Sequence, residues 1–262
     1  MALPYFHIDA FTGGMFGGNQ AGVCVLADWL PTETLQRMAA EHAIAETAFL
    51  VHRDAYYELR WFTPGLEIDL CGHATLAAAH VLFKHLGLSG SLVKFQTKSG
   101  LLAVHRDGDL LTLDFPSRPP EPCPAPFALL EGLGATPTFV GKSRDYFAVF
   151  ETEKQVRRVK PNMPLLETLD ALGVIITAPG KECDFVSRFF APKAGVPEDP
   201  VTGSAHCTLT PYWAERLGKT TLEARQLSPR GGQLRCEQRG ERVFMGGRAV
   251  TYLTGFIQLP MG

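Results

Sequence analysis

Short runs of alternating or fully apolar residues dominate the chain. Tyr5 to Ile8, Gly22 to Leu26, Thr47 to Val51 and Tyr57 to Thr63 are rich in β-branched and aromatic residues and bounded by polar or glycine positions, which predicts strands. Leu92 to Thr97 and Leu101 to Arg106 continue the series, and Asp107-Gly108-Asp109 turns the chain into Leu110 to Phe115 as a hairpin. Thr32 to His42 sets Leu35, Met38 and Ala39 on one side, the spacing of an amphipathic surface helix. Ala74 to Leu86 is different: it has almost no polar face, and Gly87 is a ready stop. A helix apolar all round must be surrounded, so the economical arrangement is a sheet wrapped around it.

The second half follows the same plan less cleanly. Strands are predicted at Tyr146 to Phe150, Val174 to Thr177, Asp184 to Phe190, Leu222 to Leu227, Gln233 to Cys236, Val243 to Met245 and Val250 to Phe256. A helix from Thr202 to Leu217 ends at Gly218, and Pro211 inside it predicts a kink or a split. Between Pro116 and Pro126 lie six prolines in eleven residues, too many for a sheet ladder, so the stretch reads as a stiff connector. The expected organisation is an N-terminal lobe over 1–116, a connector over 117–126 and a C-terminal lobe over 127–249. A last strand near 250–262 is positioned to return to the first lobe.

The halves also match residue by residue. Arg60-Trp61-Phe62-Thr63-Pro64 returns 128 positions later as Arg188-Phe189-Phe190-Ala191-Pro192. At the same offset, Cys71-Gly72-His73-Ala74 corresponds to Asp199-Pro200-Val201-Thr202, just ahead of Gly203-Ser204. Each copy runs from an aromatic strand through a loop to a polar or reactive residue beside a glycine-bearing helix start. Two such units imply like halves able to face one cleft.

Composition narrows the function classes. With 25 basic and 27 acidic residues, net charge is -2, which removes any global bias toward nucleic acid or anionic membrane. No apolar run approaches the ~20 residues that span a bilayer. Six dispersed cysteines without a Cys-x-x-Cys pair, and an N-terminus without signal-peptide regions, favour reduced thiols in a cytoplasm. Nucleotide loops, a Gly-x-Ser-x-Gly elbow and a His-x-x-x-His zinc pair are all missing from the sequence, so the expectation includes neither cofactor nor metal.

The candidate chemistry lies at the two helix starts. Unpaired N–H groups there suit a carboxylate, which makes Gly72 and Thr202-Gly203-Ser204 candidate anion holders, with caps as the bland alternative. His73 at a helix start is a candidate proton carrier with an expected lowered pKa, set against a merely structural histidine; His206, deeper in its helix, reads as structural. Asp199 gains interest from its match with Cys71, and the pair makes a plausible acid/base couple across the repeat. Cys71 beside a helix N-terminus is expected to have a lowered pKa, with core filler as the alternative. Glu46, between a helix end and an apolar strand, is a carboxylate suited to taking a proton from carbon, although most such residues simply face water.

Several of these segments together resemble one family. Gly18-Asn19-Gln20-Ala21-Gly22-Val23, Ala45-Glu46-Thr47-Ala48-Phe49, Arg60 to Pro64, Leu70 to Ala77, Glu198 to His206 and Ser228-Pro229-Arg230-Gly231-Gly232 occur in order over essentially the whole length. The chain is identified on these as a member of the phenazine-biosynthesis PhzF-like family. That resemblance implies an α+β, diaminopimelate epimerase-like fold: two pseudo-symmetric β-barrel lobes, each wrapped around a central α-helix. It also implies a cofactor-independent isomerase of a small carboxylate or amino-acid-like substrate, and a homodimer. Glu46 would be the general base with His73 and Asp199 as polar partners. Asn19, Cys71, Gly72, Thr202, Gly203 and Ser204 would contact substrate. The related epimerases face two thiols across the substrate; here Asp199-Pro200 stands opposite Cys71, so a two-thiol mechanism cannot be assembled. A racemase or epimerase using Cys71 alone, and a non-catalytic binding protein on the same fold, are the alternatives.

Overall fold

The computed structural model describes residues 2–259 and divides into two compact units, Met1–Asp114 with Gly246–Gly262, and Phe115–Met245. In the first unit the elements run β1 (Ala2–Ala10), β2 (Asn19–Leu26), α1 (Thr32–His42), β3 (Glu46–Arg53), β4 (Tyr56–Phe62), β5 (Glu67–Ile68), α2 (Gly72–Lys84), β6 (Leu92–Thr97), β7 (Gly100–Asp107) and β8 (Leu110–Pro116). β2 pairs antiparallel with β1 and parallel with β3, β3 pairs antiparallel with β4, and β4 pairs parallel with β6. Helix α2 packs against β1, β2 and β3, and ten of its residues are buried, including Leu76, Val81 and Leu82. Its missing polar face is thereby accounted for. On the other side of the sheet, Leu35 and Met38 of α1 pack with Phe49 and Phe62.

Two backbone positions set up this unit's functional residues. Gly18 has φ +66°, and a Cβ there would lie 2.1 Å from Ala10 O, so only glycine permits the tight entry into β2 at Asn19. Ala43 ends α1 in the left-handed region (φ 52°), its N–H bonded to Ala39 O. An alanine held there costs about 1 kcal/mol or more. Three residues later the chain enters β3 at Glu46.

The second unit holds β9 (Glu121–Pro122), α3 (Phe127–Leu133), β10 (Phe139–Lys142), β11 (Tyr146–Val149), α4 (Glu153–Arg158), α5 (Met163–Glu167), β12 (Val174–Pro179), β13 (Phe185–Phe190), a 3-10 turn (Pro192–Ala194), α6 (Gly203–Leu217), β14 (Thr221–Gln226), β15 (Gly232–Arg239) and β16 (Arg242–Gly247). β11 and β12 are parallel, β12 and β13 antiparallel, β13 and β14 parallel, and β14 and β15 antiparallel. α6 packs on β14 and β15; its Trp213 stacks on Phe185 and donates to Thr177 Oγ1 at 3.0 Å. The short helices α3 to α5 cover a separate core around Leu129, Val156, Leu166 and Ile176. The final strand β17 (Ala249–Gln258) pairs antiparallel with β1. Residues 260–262 of the predicted return strand lie outside the described residues.

The split that Pro211 could have caused does not occur. α6 is one continuous helix despite Pro211. Proline removes the N–H that would bond the carbonyl four residues earlier, here Cys207 O, and Arg118 N supplies that missing donor at 2.9 Å. The helix survives because the deficit is filled from outside it. The donor comes from the proline-rich stretch itself, which makes further backbone bonds of its own. Ser117 N bonds Glu241 O, and Glu121–Pro122 forms a two-residue ladder with Gly141 and Lys142. Proline is tolerated on such a short edge pairing, where Cys123 N, not Pro122, donates to Val140 O.

The internal repeat has a structural cause visible in both units. Arg60 in β4 makes a forked pair with Glu67, Nε to Oε1 at 2.8 Å and the second amine to Oε2 at 2.9 Å. Arg188 in β13 does the same with Glu198, at 2.8 and 3.0 Å. Each guanidinium also lies over the aromatic ring two residues on, Phe62 or Phe190. Planar two-bond recognition of this kind is specific to arginine. Each fork anchors the loop that leads to a helix start.

The Glu67 fork has a pH signature. Hydrogen bonds from Arg60, together with Lys98, hold the Glu67 carboxyl down to about 2 from its ordinary 4.5. A depressed carboxyl stabilises the fold above its unfolded value and loses that contribution as pH falls through its folded value. Acid unfolding followed by circular dichroism should therefore show stability falling between pH 4.5 and 2, and Glu67→Gln should flatten that part of the curve. An unchanged curve would remove Glu67 from the acid response.

Candidate active site

In the first unit, four predicted residues converge. Asn19 opens β2, Glu46 opens β3, and parallel pairing of these strands, with Ala21 opposite Glu46, brings the two strand starts together. Cys71 is the N-cap of α2 in extended conformation (φ -144°), and His73 is the second residue of the helix. His73 Nε2 lies 2.9 Å from Glu46 Oε2. Its other nitrogen, Nδ1, is 3.2 Å from Asn19 Nδ2 and 3.5 Å from Cys71 Sγ. Both ring nitrogens are thus engaged, which orients the imidazole. Asn19, Cys71 and His73 are buried and the Glu46 side chain is 17% exposed, so the carboxylate sits neither in bulk water nor fully sealed. Among the described residues, His73 is the polar group that faces buried Glu46 Oε2.

The charge states differ from expectation. Burial pushes the Cys71 thiol up, outweighing the neighbouring imidazole and the helix start, so the predicted low-pKa thiol is not found. Burial also opposes charge on His73, but the facing Cys71 and Glu46 groups overcome it and hold the imidazole well above the ordinary histidine value. Of these two neighbours the carboxylate is the stronger cause, because a buried thiol stays protonated. The direction favours a proton shared on the His73 side of its contact with Glu46, with Cys71 held as a thiol beside them.

In the second unit, Asp199 accepts a short hydrogen bond from the Thr202 hydroxyl, and Asp199 N bonds Phe189 O. Gln226 bridges the loop: its amide donates to Asp199 O at 2.8 Å and accepts from Thr202 N at 2.9 Å. Ser228 donates to Pro200 O at 2.8 Å. Thr202 therefore spends its hydroxyl proton on Asp199. Gly203 begins α6, and Ser204 Oγ accepts from Arg144 at 3.0 Å. His206 is buried, bonded to Thr202 O, and pushed down by burial to about 4, a neutral structural ring.

Sequence reasoning assigned no role to Gln226, Ser228 or Arg144. Ser228 stands in a quoted segment, Ser228 to Gly232, but Gln226 and Arg144 carry no local signal. Nor did spacing disclose that Glu46, Cys71 and His73 bring ligand-type atoms within 4.8 Å of one another. A broad concavity at the C-terminal end of α2, lined in part by His80, Lys84, Arg106 and Arg248, is distinct from this cluster. Its histidines are occupied by Thr251, and His80 is pushed down to about 4 by burial. Chemistry, not volume, picks out the Glu46 cluster.

Two lobes, each with a sheet around a buried helix, define an α+β protein of the diaminopimelate epimerase-like fold. A solved structure of a probable proline racemase from Agrobacterium radiobacter shares that fold at TM-score 0.65 and 11% identity, covering 99% of this chain and 93% of its own. The match to the phenazine biosynthesis-like protein model, PhzC-PhzF, spans residues 8–255, and the chain belongs to that family. An uncharacterised isomerase of Pseudomonas aeruginosa is 50% identical over 99% of this chain and 100% of its own length. The crystal structure of a PhzF-family protein from Enterococcus faecalis matches at TM-score 0.97 and 46% identity, covering 99% and 100%. The chain is an isomerase. Among the described residues no helix is long and apolar enough to cross a membrane.

Proposed function

We propose that this isomerase moves a carbon-bound proton on a small carboxylate or amino-acid-like substrate without a cofactor, with Glu46 as the general base. The observation that carries the reading is the mostly buried Glu46 carboxylate, 2.9 Å from an imidazole whose other nitrogen contacts Asn19. In such a step the C–H bond adjacent to a carbonyl or carboxylate breaks, the proton goes to Glu46 and the electron pair delocalises onto oxygen. Return of the proton to the same or another carbon completes the isomerisation. The His73 imidazolium holds the base and offsets negative charge as it develops. Asp199, matched to Cys71 by the internal repeat, is a further candidate acid/base group, held by the Thr202 hydroxyl. The N–H groups opening α2, beside Glu46 and His73, suit a substrate carboxylate. A panel of cyclic and α-amino carboxylates incubated with enzyme in heavy water tests the reading. Deuterium entering a C–H position is the expected result; exchange into none of them favours the non-catalytic binding alternative.

An epimerase using Cys71 is the second reading, and the observation for it is the 3.5 Å contact of Cys71 Sγ with His73 Nδ1. Against it, burial raises the thiol where a thiolate base needs lowering. Cys71→Ser should retain most of the exchange rate measured by NMR, whereas loss comparable to that of Glu46→Gln would favour the thiol as an acid/base.

A further inference from the structure

We infer that Glu46, Cys71 and His73 form a zinc-binding site, and that a bound Zn²⁺ ion would inhibit the enzyme by occupying its base. The three groups supply one oxygen, one sulfur and one nitrogen, the donor set that zinc combines with an open fourth position. Ligand atoms about 2.0 to 2.3 Å from a tetrahedral ion stand roughly 3.3 to 3.6 Å from one another. Here Cys71 Sγ is 4.0 Å from His73 Nε2, and Nε2 is 2.9 Å from Glu46 Oε2. Sγ lies nearer Nδ1, at 3.5 Å, so reaching one centre at Nε2 requires the Cys71 side chain to swing toward Glu46 while the His73–Glu46 contact opens. Glu46 Oε2 is buried, and among the described residues its contact with His73 is its one polar engagement, so a cation costs it no other bond there. Zinc would bind Nε2, displacing its proton to solvent, and the thiol would lose its own proton, as metal ligation requires.

The remaining imidazole nitrogen already has a supporting group. Nδ1 is 3.2 Å from the Asn19 side-chain amide. With that amide turned over, Asn19 Oδ1 would accept from Nδ1–H, the outer hydrogen bond that metal-bound histidines generally make. Asn19 itself is buried at the tight entry into β2, and so is held in place.

Binding is a property of these three side chains alone, but inhibition rests on Glu46 being the base, and the experiment separates the two. The full-length chain is titrated with Zn²⁺ under equilibrium dialysis and, separately, with Co²⁺ as a spectroscopic probe. One ion per chain is expected, with a thiolate-to-cobalt charge-transfer band and the intense visible absorption of a tetrahedral centre. Cys71→Ala should abolish the charge-transfer band, and the isosteric Glu46→Gln should keep it while weakening affinity. Because losing an outer-shell partner typically costs about 10–100-fold, removal of a direct ligand should cost more than about 100-fold. Absence of stoichiometric binding, or a charge-transfer band surviving in Cys71→Ala, would overturn the site. If zinc binds as described but the exchange activity of a responding substrate persists at saturation, the site stands and its inhibitory role falls. Failure of the base assignment shows separately, as metal-free Glu46→Gln retaining exchange.

Discussion

Glu46→Gln should cut the rate of solvent-deuterium incorporation into a responding substrate by about 10² to 10⁴-fold, the usual contribution of a positioned acid/base group. The substitution preserves shape and leaves an amide oxygen for His73, so folding and substrate affinity should change little. What disappears is the ability to accept a proton from carbon. The expected kinetic signature is a fall in kcat with KM nearly constant, the mark of an interaction used in the transition state and not in ground-state binding. His73→Asn should also lower the rate, but through loss of the ion pair that positions the carboxylate. NMR observation of exchange in heavy water reads both. Full exchange by Glu46→Gln would reject Glu46 as the base, whatever else the cluster does.

Glu198→Ala should destabilise the protein by about 3 kcal/mol or more, the typical cost of leaving one member of a buried pair unmatched. Arg188 and Glu198 are 12% and 16% exposed, so solvent compensates little of the orphaned guanidinium charge. The carbonyls of Val156 and Val159 remain as its acceptors, which places the loss at the lower end of the range. Glu182→Ala is the matched contrast: it breaks the Arg225 pair, whose partners are 40% and 75% exposed, and should cost less than about 1 kcal/mol. Urea midpoints measured for both variants decide the matter, and equal small shifts would refute a structural role for the second fork. Because Glu198 immediately precedes Asp199, a loosened fork should also lower exchange activity at temperatures where the fold persists.

Much of the architecture was readable along the chain. The long strands and α1, α2 and α6 are governed by local periodicity, and the structure has them where the pattern puts them. The short helices α3 to α5 were not readable. Five to seven residues span too few turns for a repeating apolar face. The capping box of Thr152 and Gln155 was the one local sign of α4. At Pro211 a local rule predicts a kink or a split; the split does not occur, because the donor that fills the gap comes from Arg118, 93 positions earlier.

The sequence by itself determined the duplicated plan, the buried character of α2 and the family, because apolar periodicity and ordered motifs are properties of neighbours along the chain. It also singled out Glu46, Asn19, Cys71 and His73 as residues of interest. Tertiary structure alone decided that these four share one cluster, since the parallel alignment of β2 with β3 and the start of α2 bring together positions 19, 46, 71 and 73. It also set the surroundings that shift the Cys71 thiol and the His73 imidazole. Whether a thiol or an imidazole carries charge depends on how much water reaches it and which charge faces it, and neither quantity exists until the chain has folded.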